Sequence, residues 1–473
     1  LRPAKEEALG ETTCDLLVIG GGPGGYTAAI TGAQKGLQVL LVERETIGGI
    51  CLNRGCLPTK TLLENSRIIA MVQNAPFLKG DIRINRSRLV ERTQTVVEGA
   101  VAGIAATLKE NGVVILQGEA AFIGPMRVQV TGQNGSTTDI VPRWIVLATG
   151  SEPKPVSGIE PDGRWVLNTD QALMLDRVPA TLAVVGAGGR GVEFASLFAN
   201  LGTRVHLVEQ EKRLLPREDR RISSRYRTVI GSRGIRVHTK TRALGLEHRN
   251  AGGIQLHLRT NAGQEALEVE RVLLIGSRKP SFCGLMPETG GLRVEDEMLY
   301  YDKGTNRFAP EIYGVGDLCG PPYAAHKAIS QALAAVEHMT DGHSPAPGPV
   351  PNCVYGDPEV ASVGHSEDQA KKAGFHVKTG EFYFAASGRA ATVGRDEGVL
   401  YAVFEEKSGA LLGAHVLGPC ATEVIGLAVM AIQNGLDLDH LKRTVLPHLT
   451  FSEVFFEAAR SADREAIHLF LSE

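Results

Sequence analysis

One pattern occurs twice in this chain and leaves little freedom for its fold. Asp15-Leu-Leu-Val-Ile-Gly20-Gly21-Gly22-Pro23-Gly24-Gly25 is an apolar strand running into a glycine-rich turn and an Ala-rich helix, and Gln38-Val-Leu-Leu-Val-Glu43 is the next strand, closed by an acid. Thr181-Leu-Ala-Val-Val-Gly186-Ala187-Gly188-Gly189-Arg190-Gly191 repeats it, with Arg204-Val-His-Leu-Val-Glu209 as the closing strand. In both copies the acid follows the last glycine by 18 residues. In a βαβ nucleotide unit the first glycine makes the turn, the second lets a pyrophosphate approach the backbone, the third lets helix and strand pack, and the acid holds a ribose. A lone G-x-G-x-x-G is weak and is often only a tight turn. Two strand-bounded copies with equal spacing predict two dinucleotide sites, one at Gly20, Gly22, Gly25 and Glu43, the other at Gly186, Gly188, Gly191 and Glu209.

Between the copies, Gly48-Gly49-Ile50-Cys51-Leu52-Asn53-Arg54-Gly55-Cys56-Leu57-Pro58-Thr59-Lys60 holds two cysteines with four residues between them. A zinc site would want cysteine pairs at two-residue spacing and a second pair elsewhere, and the chain has neither. On a regular helix five positions span about 7.5 Å, beyond the usual disulfide limit, so the backbone has to bend, which Gly49 and Gly55 permit. Pro58 favours a helix start just after Cys56, and a helix N-terminus stabilises a thiolate. The segment reads as a redox disulfide; the plain alternative is two small buried thiols.

With 473 residues, the chain is large enough for about three domains. Lys plus Arg is 50 and Asp plus Glu is 53, so no charge excess points to nucleic acid or acidic lipid. No apolar run reaches membrane length and the segment from Leu1 to Glu7 lacks a signal-peptide core, so a cytoplasmic protein is expected, the start at Leu1 leaving room for a removed targeting segment. Cys14, Cys283, Cys319, Cys353 and Cys420 are scattered singly, as reduced structural thiols would be.

Further along, Trp144-Ile-Val-Leu-Ala-Thr149-Gly150 reads as a buried strand ending in a small-residue turn, and Pro153 with Pro155 as a linker. Ile312-Tyr-Gly-Val-Gly316-Asp317 is a strand that delivers an acid at its C-terminal edge, where open α/β sheets place ligands; the alternative for Asp317 is an N-cap for the Ala-rich stretch from Ala324. The break Pro345-Ala-Pro-Gly-Pro-Val-Pro351 precedes a region of strands (398–404, 411–417) and amphipathic helices (421–435, 452–459) without a phosphate loop, which reads as a packing or dimerisation domain.

These segments, with Ala325-His326-Lys327-Ala328, Val354 to Gly364 and Pro447-His448-Leu449-Thr450-Phe451-Ser452-Glu453, resemble the FAD-dependent pyridine nucleotide disulfide oxidoreductases over nearly the whole chain. The resemblance implies an α/β fold of two Rossmann-like dinucleotide-binding domains plus a C-terminal α+β dimerisation (interface) domain. The expected bounds are an FAD-binding domain over 1–150, an NAD-binding domain over 151–276, a central segment over 277–349 completing the FAD domain, and an interface domain over 350–473.

It also implies FAD over the first copy, joined by Thr149, Gly150 and Asp317, and NAD over the second. Cys51 would meet substrate and Cys56 would face the flavin, with Lys60 and Glu193 an ion pair near it. His448 would take the substrate proton and Glu453 would fix its tautomer, the pair reaching the site from the partner subunit of a homodimer. His326 borders the flavin in this reading without a catalytic part. Within the family, the implied activity is NAD-linked oxidation of dihydrolipoamide carried by a lipoylated carrier protein or lipoyl domain. Glutathione reduction is disfavoured by Glu209, mercuric reduction by the lack of any cysteine after Cys420, and a structural or redox-sensing subunit is the non-enzymatic alternative.

Three positions depart from the family pattern. Leu449 follows His448 where a cis proline is usual, and since a non-prolyl cis bond costs about 2.5–4 kcal/mol a trans bond is expected. Arg54 stands between the cysteines, either near the sulfurs or solvated. Gly189-Arg190 replaces a bulky pair, which would open the nicotinamide face and leave Arg190 on pyrophosphate or in solvent.

Overall fold

The computed structural model describes residues 11–80, 83–156, 158–249, 252–343 and 347–469. The N-terminal stretch from Leu1 to Glu7 and part of the proline-rich break, residues 345 and 346, lie outside the described residues. The chain divides into two compact units.

The first unit comprises Leu1–Thr59, Glu91–Lys154 and Ser277–Gly348. Its eight-stranded sheet runs in the order 307–309, 312–314, 137–147, 12–19, 39–43, 114–117, parallel along this path except for the 307–309 edge, and 127–131 branches off antiparallel to 137–147 with 119–124 antiparallel to it. Leu16, Leu17 and Val18 are all fully buried, which is why the strand Thr12–Ile19 reads as a continuous apolar run rather than an alternating one. The helix Pro23–Gln34 starts with proline in its first turn and packs small residues, Gly24, Ala28 and Gly32, toward its neighbours.

The second unit comprises Lys60–Val90, Pro155–Gly276 and Pro349–Glu473. One of its sheets, ordered 236–238, 204–208, 181–185, 271–274, 166–167, is parallel and repeats the βαβ logic of the first unit, with the helix Gly189–Asn200 after the turn. The strands Arg242–His248, Ile254–Thr260 and Gly263–Val269 form an antiparallel three-stranded layer. The C-terminal sheet is antiparallel, ordered 352–354, 359–364, 411–418, 399–405, 377–383, and the helices Ala421–Gln433 and Glu453–Ser461 bury Val424, Ile425, Val454 and Phe455 in its core.

Asp357, 8% exposed, ties this last region to the parallel-sheet part of the same unit. It pairs with Arg395, with Arg233 at 2.8 Å and with the amide of Asn200 at 3.2 Å. A buried carboxylate is tolerable only with such partners.

Candidate functional site

The two glycine turns are built alike. Gly20 and Gly186 have φ of +101° and +108°, a region where a side chain is strained. A Cβ on Gly25 would stand 1.7 Å from the Gly20 carbonyl oxygen, and one on Gly191 would stand 1.8 Å from that of Gly186, so only glycine allows each helix so close to its strand. Gly22 and Gly188, by contrast, face open space. Each is the N-cap of its helix and offers no side-chain cap, so the first-turn N–H groups are left to a ligand, and an anion is what they favour.

The closing acids are also alike. Glu43 accepts the Gly21 N–H at 2.7 Å on one oxygen and the Glu45 N–H at 2.7 Å on the other; Glu209 accepts the Ala187 N–H at 2.7 Å and the Glu211 N–H at 2.9 Å. Both are buried, and each carboxylate oxygen keeps lone-pair capacity for a ribose hydroxyl. The acid therefore holds the turn.

In the first unit the Thr149 hydroxyl is buried with no partner among the described residues, one residue before Gly150 in its positive-φ turn. Asp317 is not the N-cap of the Ala-rich helix Ala325–Asp341, whose N-cap is Ala324; it lies in the short helical turn Gly316–Cys319, where it accepts the Ser151 hydroxyl at 2.5 Å. Arg278 Nε donates to the same hydroxyl at 2.6 Å. An uncapped helix, an open glycine face, a buried carboxylate and an orphaned hydroxyl fit a flavin dinucleotide here, and the second unit repeats the first three features for NAD.

The cysteine segment is seated on the first turn: the Gly48 N–H donates to the Gly21 carbonyl at 2.8 Å, and a Cβ on Gly49 would meet the Gly22 Cα at 2.9 Å. Cys51 lies half-buried on the short helix Gly49–Asn53, whose end Asn53 locks by donating to the Gly49 carbonyl at 2.9 Å. The chain then breaks at Arg54, and the helix Cys56–Gln73 starts at Cys56 itself. Gly55 is needed for proximity, since a Cβ there would stand 2.9 Å from the Ile50 carbonyl oxygen. The phenol of Tyr26 is pushed up, first by burial and then by the charges of Cys51 and Cys56. The Arg54 guanidinium pairs with Glu45 at 2.8 Å while its side chain stays 43% exposed.

In the second unit Lys60 Nζ lies 2.9 Å from Glu193, whose residue is 3% exposed. Sequence reasoning missed the third member of this group. The Tyr355 N–H donates to the other Glu193 oxygen at 2.9 Å, and the Tyr355 ring lies under the Lys60 ammonium, 4.8 Å away. The segment Val354 to Gly364 stood out only through the resemblance, and a contact made by a backbone N–H leaves no trace in residue type.

His448 Nδ1 lies 2.8 Å from Glu453 Oε1, and Oε2 accepts the Thr450 N–H at 2.8 Å. With Nδ1 committed to the carboxylate, Nε2 is the nitrogen left to accept a proton. The imidazole side chain is 71% exposed, so within one chain it faces outward. The trans expectation at His448-Leu449 is corrected: the bond is cis. The residue-level cost omitted what the surroundings fix, namely the Glu453 clamp on both sides of the bond and the Thr450 hydroxyl donating to the Pro447 carbonyl at 2.9 Å.

Arg190 donates to the Gly276 carbonyl at 2.8 Å. A Cβ on Gly189 would stand 3.1 Å from Val354, so that residue crowds the space a bulky side chain would take. His326 is exposed in the first turn of its helix.

A family model described as pyridine nucleotide-disulphide oxidoreductase matches residues 14–332, and the dimerisation domain of the same family matches residues 350–459. The dihydrolipoyl dehydrogenase of Thermus scotoductus is 37% identical over 462 residues, covering 97% of this chain and 99% of that protein. The dihydrolipoamide dehydrogenase of Chaetomium thermophilum is 35% identical over 468 residues, 97% and 93% of the two chains. Among solved structures, LpdA of Mycobacterium tuberculosis aligns with a TM-score of 0.88 at 27% identity, over 94% of this chain and 99% of that one. The HOCl-induced flavoprotein disulfide reductase RclA of Escherichia coli aligns at 0.83 and 27% over the same shares.

Proposed function

The chain belongs to the pyridine nucleotide-disulphide oxidoreductases, and from that premise we propose that it is the enzyme that oxidises carrier-bound dihydrolipoamide to lipoamide and reduces NAD to NADH. It is an FAD- and NAD-dependent oxidoreductase, and its dimerisation domain makes it a homodimer. The observation that supports this chemistry is the Gly48 to Gly21 hydrogen bond, which seats the segment bearing Cys51 and Cys56 directly on the first glycine turn. The names of the full-length relatives and the carboxylate of Glu209, which would repel a 2′-phosphate, favour dihydrolipoamide and NAD over the glutathione and mercuric alternatives.

Gly20, Gly22, Gly25, Glu43, Thr149, Gly150 and Asp317 would hold FAD, and Gly186, Gly188, Gly191 and Glu209 would hold NAD. When bound, FAD carries the electron pair between the cysteine pair and NAD. His448 Nε2 takes the proton of one substrate thiol and passes it to solvent, the thiolate attacks Cys51 Sγ, the Cys51–Cys56 bond breaks, and Cys56 leaves as a thiolate that its helix N-terminus stabilises. His448 Nε2 takes the proton of the second substrate thiol, which then attacks the first sulfur, closes the lipoamide ring and releases Cys51 as a thiolate. Glu453 holds the imidazole and offsets its charge. Because the His448 ring faces outward, its substrate is the one bound by the partner subunit, and each active site is shared.

A cytoplasmic setting suits this chemistry. Cys14 and Cys319 are buried, and burial pushes both thiols up to about 12, so neither competes in exchange.

The test is NADH-driven reduction of lipoamide, oxidised glutathione and mercuric ion, side by side. Turnover confined to lipoamide is expected. Glutathione or mercuric turnover at a comparable rate would contradict the assignment.

A further inference from the structure

One residue touches both members of the Lys60–Glu193 pair. The Tyr355 N–H satisfies Glu193 Oε1 at 2.9 Å while Lys60 takes Oε2 at 2.9 Å, and the Tyr355 ring lies 4.8 Å from the same ammonium. A lysine arm has four rotatable bonds and an ammonium has no preferred direction, so one carboxylate contact leaves it free to swing about that oxygen. A π face on a second side removes much of that freedom.

Tyr355 is itself held in place. Val354 abuts Gly189, the Asp357 N–H donates to the Ser196 hydroxyl at 3.1 Å, and the Asn200 amide donates to the Asp357 carboxylate at 3.2 Å. Residues 354–357 thus run along the helix Gly189–Asn200, and a glycine at 189 is what admits Val354 there. Burial first, and then the charges of Cys353 and Glu359, push the phenol up to about 12, so across the working range the ring is a neutral phenol.

We infer that Tyr355 is a positioning residue for the reaction: its main chain fixes Glu193 and its ring fixes Lys60, so the placement of the ion pair depends on an aromatic face at 355. The inference rests on the proposed assignment of Lys60 and Glu193 to the flavin.

The experiment compares the purified holoenzyme with Tyr355→Phe, Tyr355→Leu and Tyr355→Met. Flavin midpoint potential and the long-wavelength absorbance of the two-electron-reduced protein are measured by anaerobic dithionite titration, with kcat and KM for NAD alongside. Tyr355→Phe is expected to match the wild type. The two ring-less variants are expected to lose kcat roughly tenfold, the worth of one partly buried cation–π contact, with KM for NAD unchanged and both spectroscopic readouts altered. Ring-less variants with wild-type potential and absorbance would overturn the inference, whatever their melting temperatures. So would a Phe variant as impaired as Leu and Met. Dithionite reports on the flavin whichever disulfide is the substrate, so a wild type inactive with dihydrolipoamide would overturn the proposed function without deciding Tyr355.

Discussion

Glu453 grips His448 and the backbone beyond it at once, one oxygen 2.8 Å from the imidazole Nδ1 and the other accepting the Thr450 N–H. Burial pushes its carboxyl up, but the bonds from His448 and Thr450 outweigh that and hold it below the ordinary range. It therefore stays an anion wherever the imidazole is useful. Replacing His448 by Gln should lower dihydrolipoamide oxidation by about 10²–10⁴-fold, the usual worth of a general base. Glu453→Gln should cost less, roughly 10–100-fold, with FAD content unchanged. Steady-state kinetics on both variants checks this; a Glu453→Gln enzyme at wild-type rate would remove the carboxylate from the mechanism.

Glu209 should set cofactor choice. With its carboxylate fixed by the Ala187 and Glu211 N–H groups, it cannot swing away from a 2′-phosphate. Discrimination in kcat/KM for NADH over NADPH should be on the order of 100-fold or more, as like-charge juxtaposition costs several kcal/mol. Glu209→Gln should erase most of it by raising activity with NADPH. Equal use of both cofactors by the wild type would show that the acid does not face the ribose.

Gly189 and Val354 should be coupled. A Cβ at 189 crowds Val354 at 3.1 Å, so Gly189→Val should destabilise by about 1–3 kcal/mol, the range for overpacking. Val354→Ala in the same chain should recover part of that loss. A double-mutant cycle by denaturant unfolding measures the coupling, and strict additivity would mean that the two side chains do not compete for one space.

The His206–His238 pair should give the protein an acid-sensitive stability. Nδ1 of His206 lies 3.1 Å from Nε2 of His238, and burial first, then His238, Arg236 and Arg204, push His206 down to about 4. Its folded value is depressed, so between its ordinary value near 6.5 and 4 only the unfolded chain takes the proton. Its contribution is therefore complete above about pH 6.5 and is lost as pH falls toward 4, at most about 3 kcal/mol. Unfolding free energies of wild type and His206→Gln across that window should converge at low pH. Parallel curves would contradict the assignment.

What was legible in the sequence was what depends on residue type at fixed spacing. The two glycine turns, their acids and the break between Cys51 and Cys56 all follow from where a side chain is forbidden or a charge is required. The C-terminal strands and helices, Val399–Glu405, Leu411–Gly418, Ala421–Gln433 and Glu453–Ser461, fall within a few residues of the reading because their apolar patterns are long. Contacts between distant segments were not legible. Arg54 finds Glu45, Arg190 finds the Gly276 carbonyl, and Val354 meets the space beside Gly189, none of which local pattern encodes. The cis bond at His448-Leu449 escaped for the same reason: a local cost was weighed without the Glu453 clamp.

The most direct test of the central claim is anaerobic reduction of NAD by dihydrolipoamide, measured on the FAD-loaded wild type, on Cys51→Ser and on Cys56→Ser. Rapid NADH formation by the wild type and loss of it in both variants is the predicted result. FAD-loaded wild type that forms no NADH, or serine variants that form it at the wild-type rate, would contradict the account.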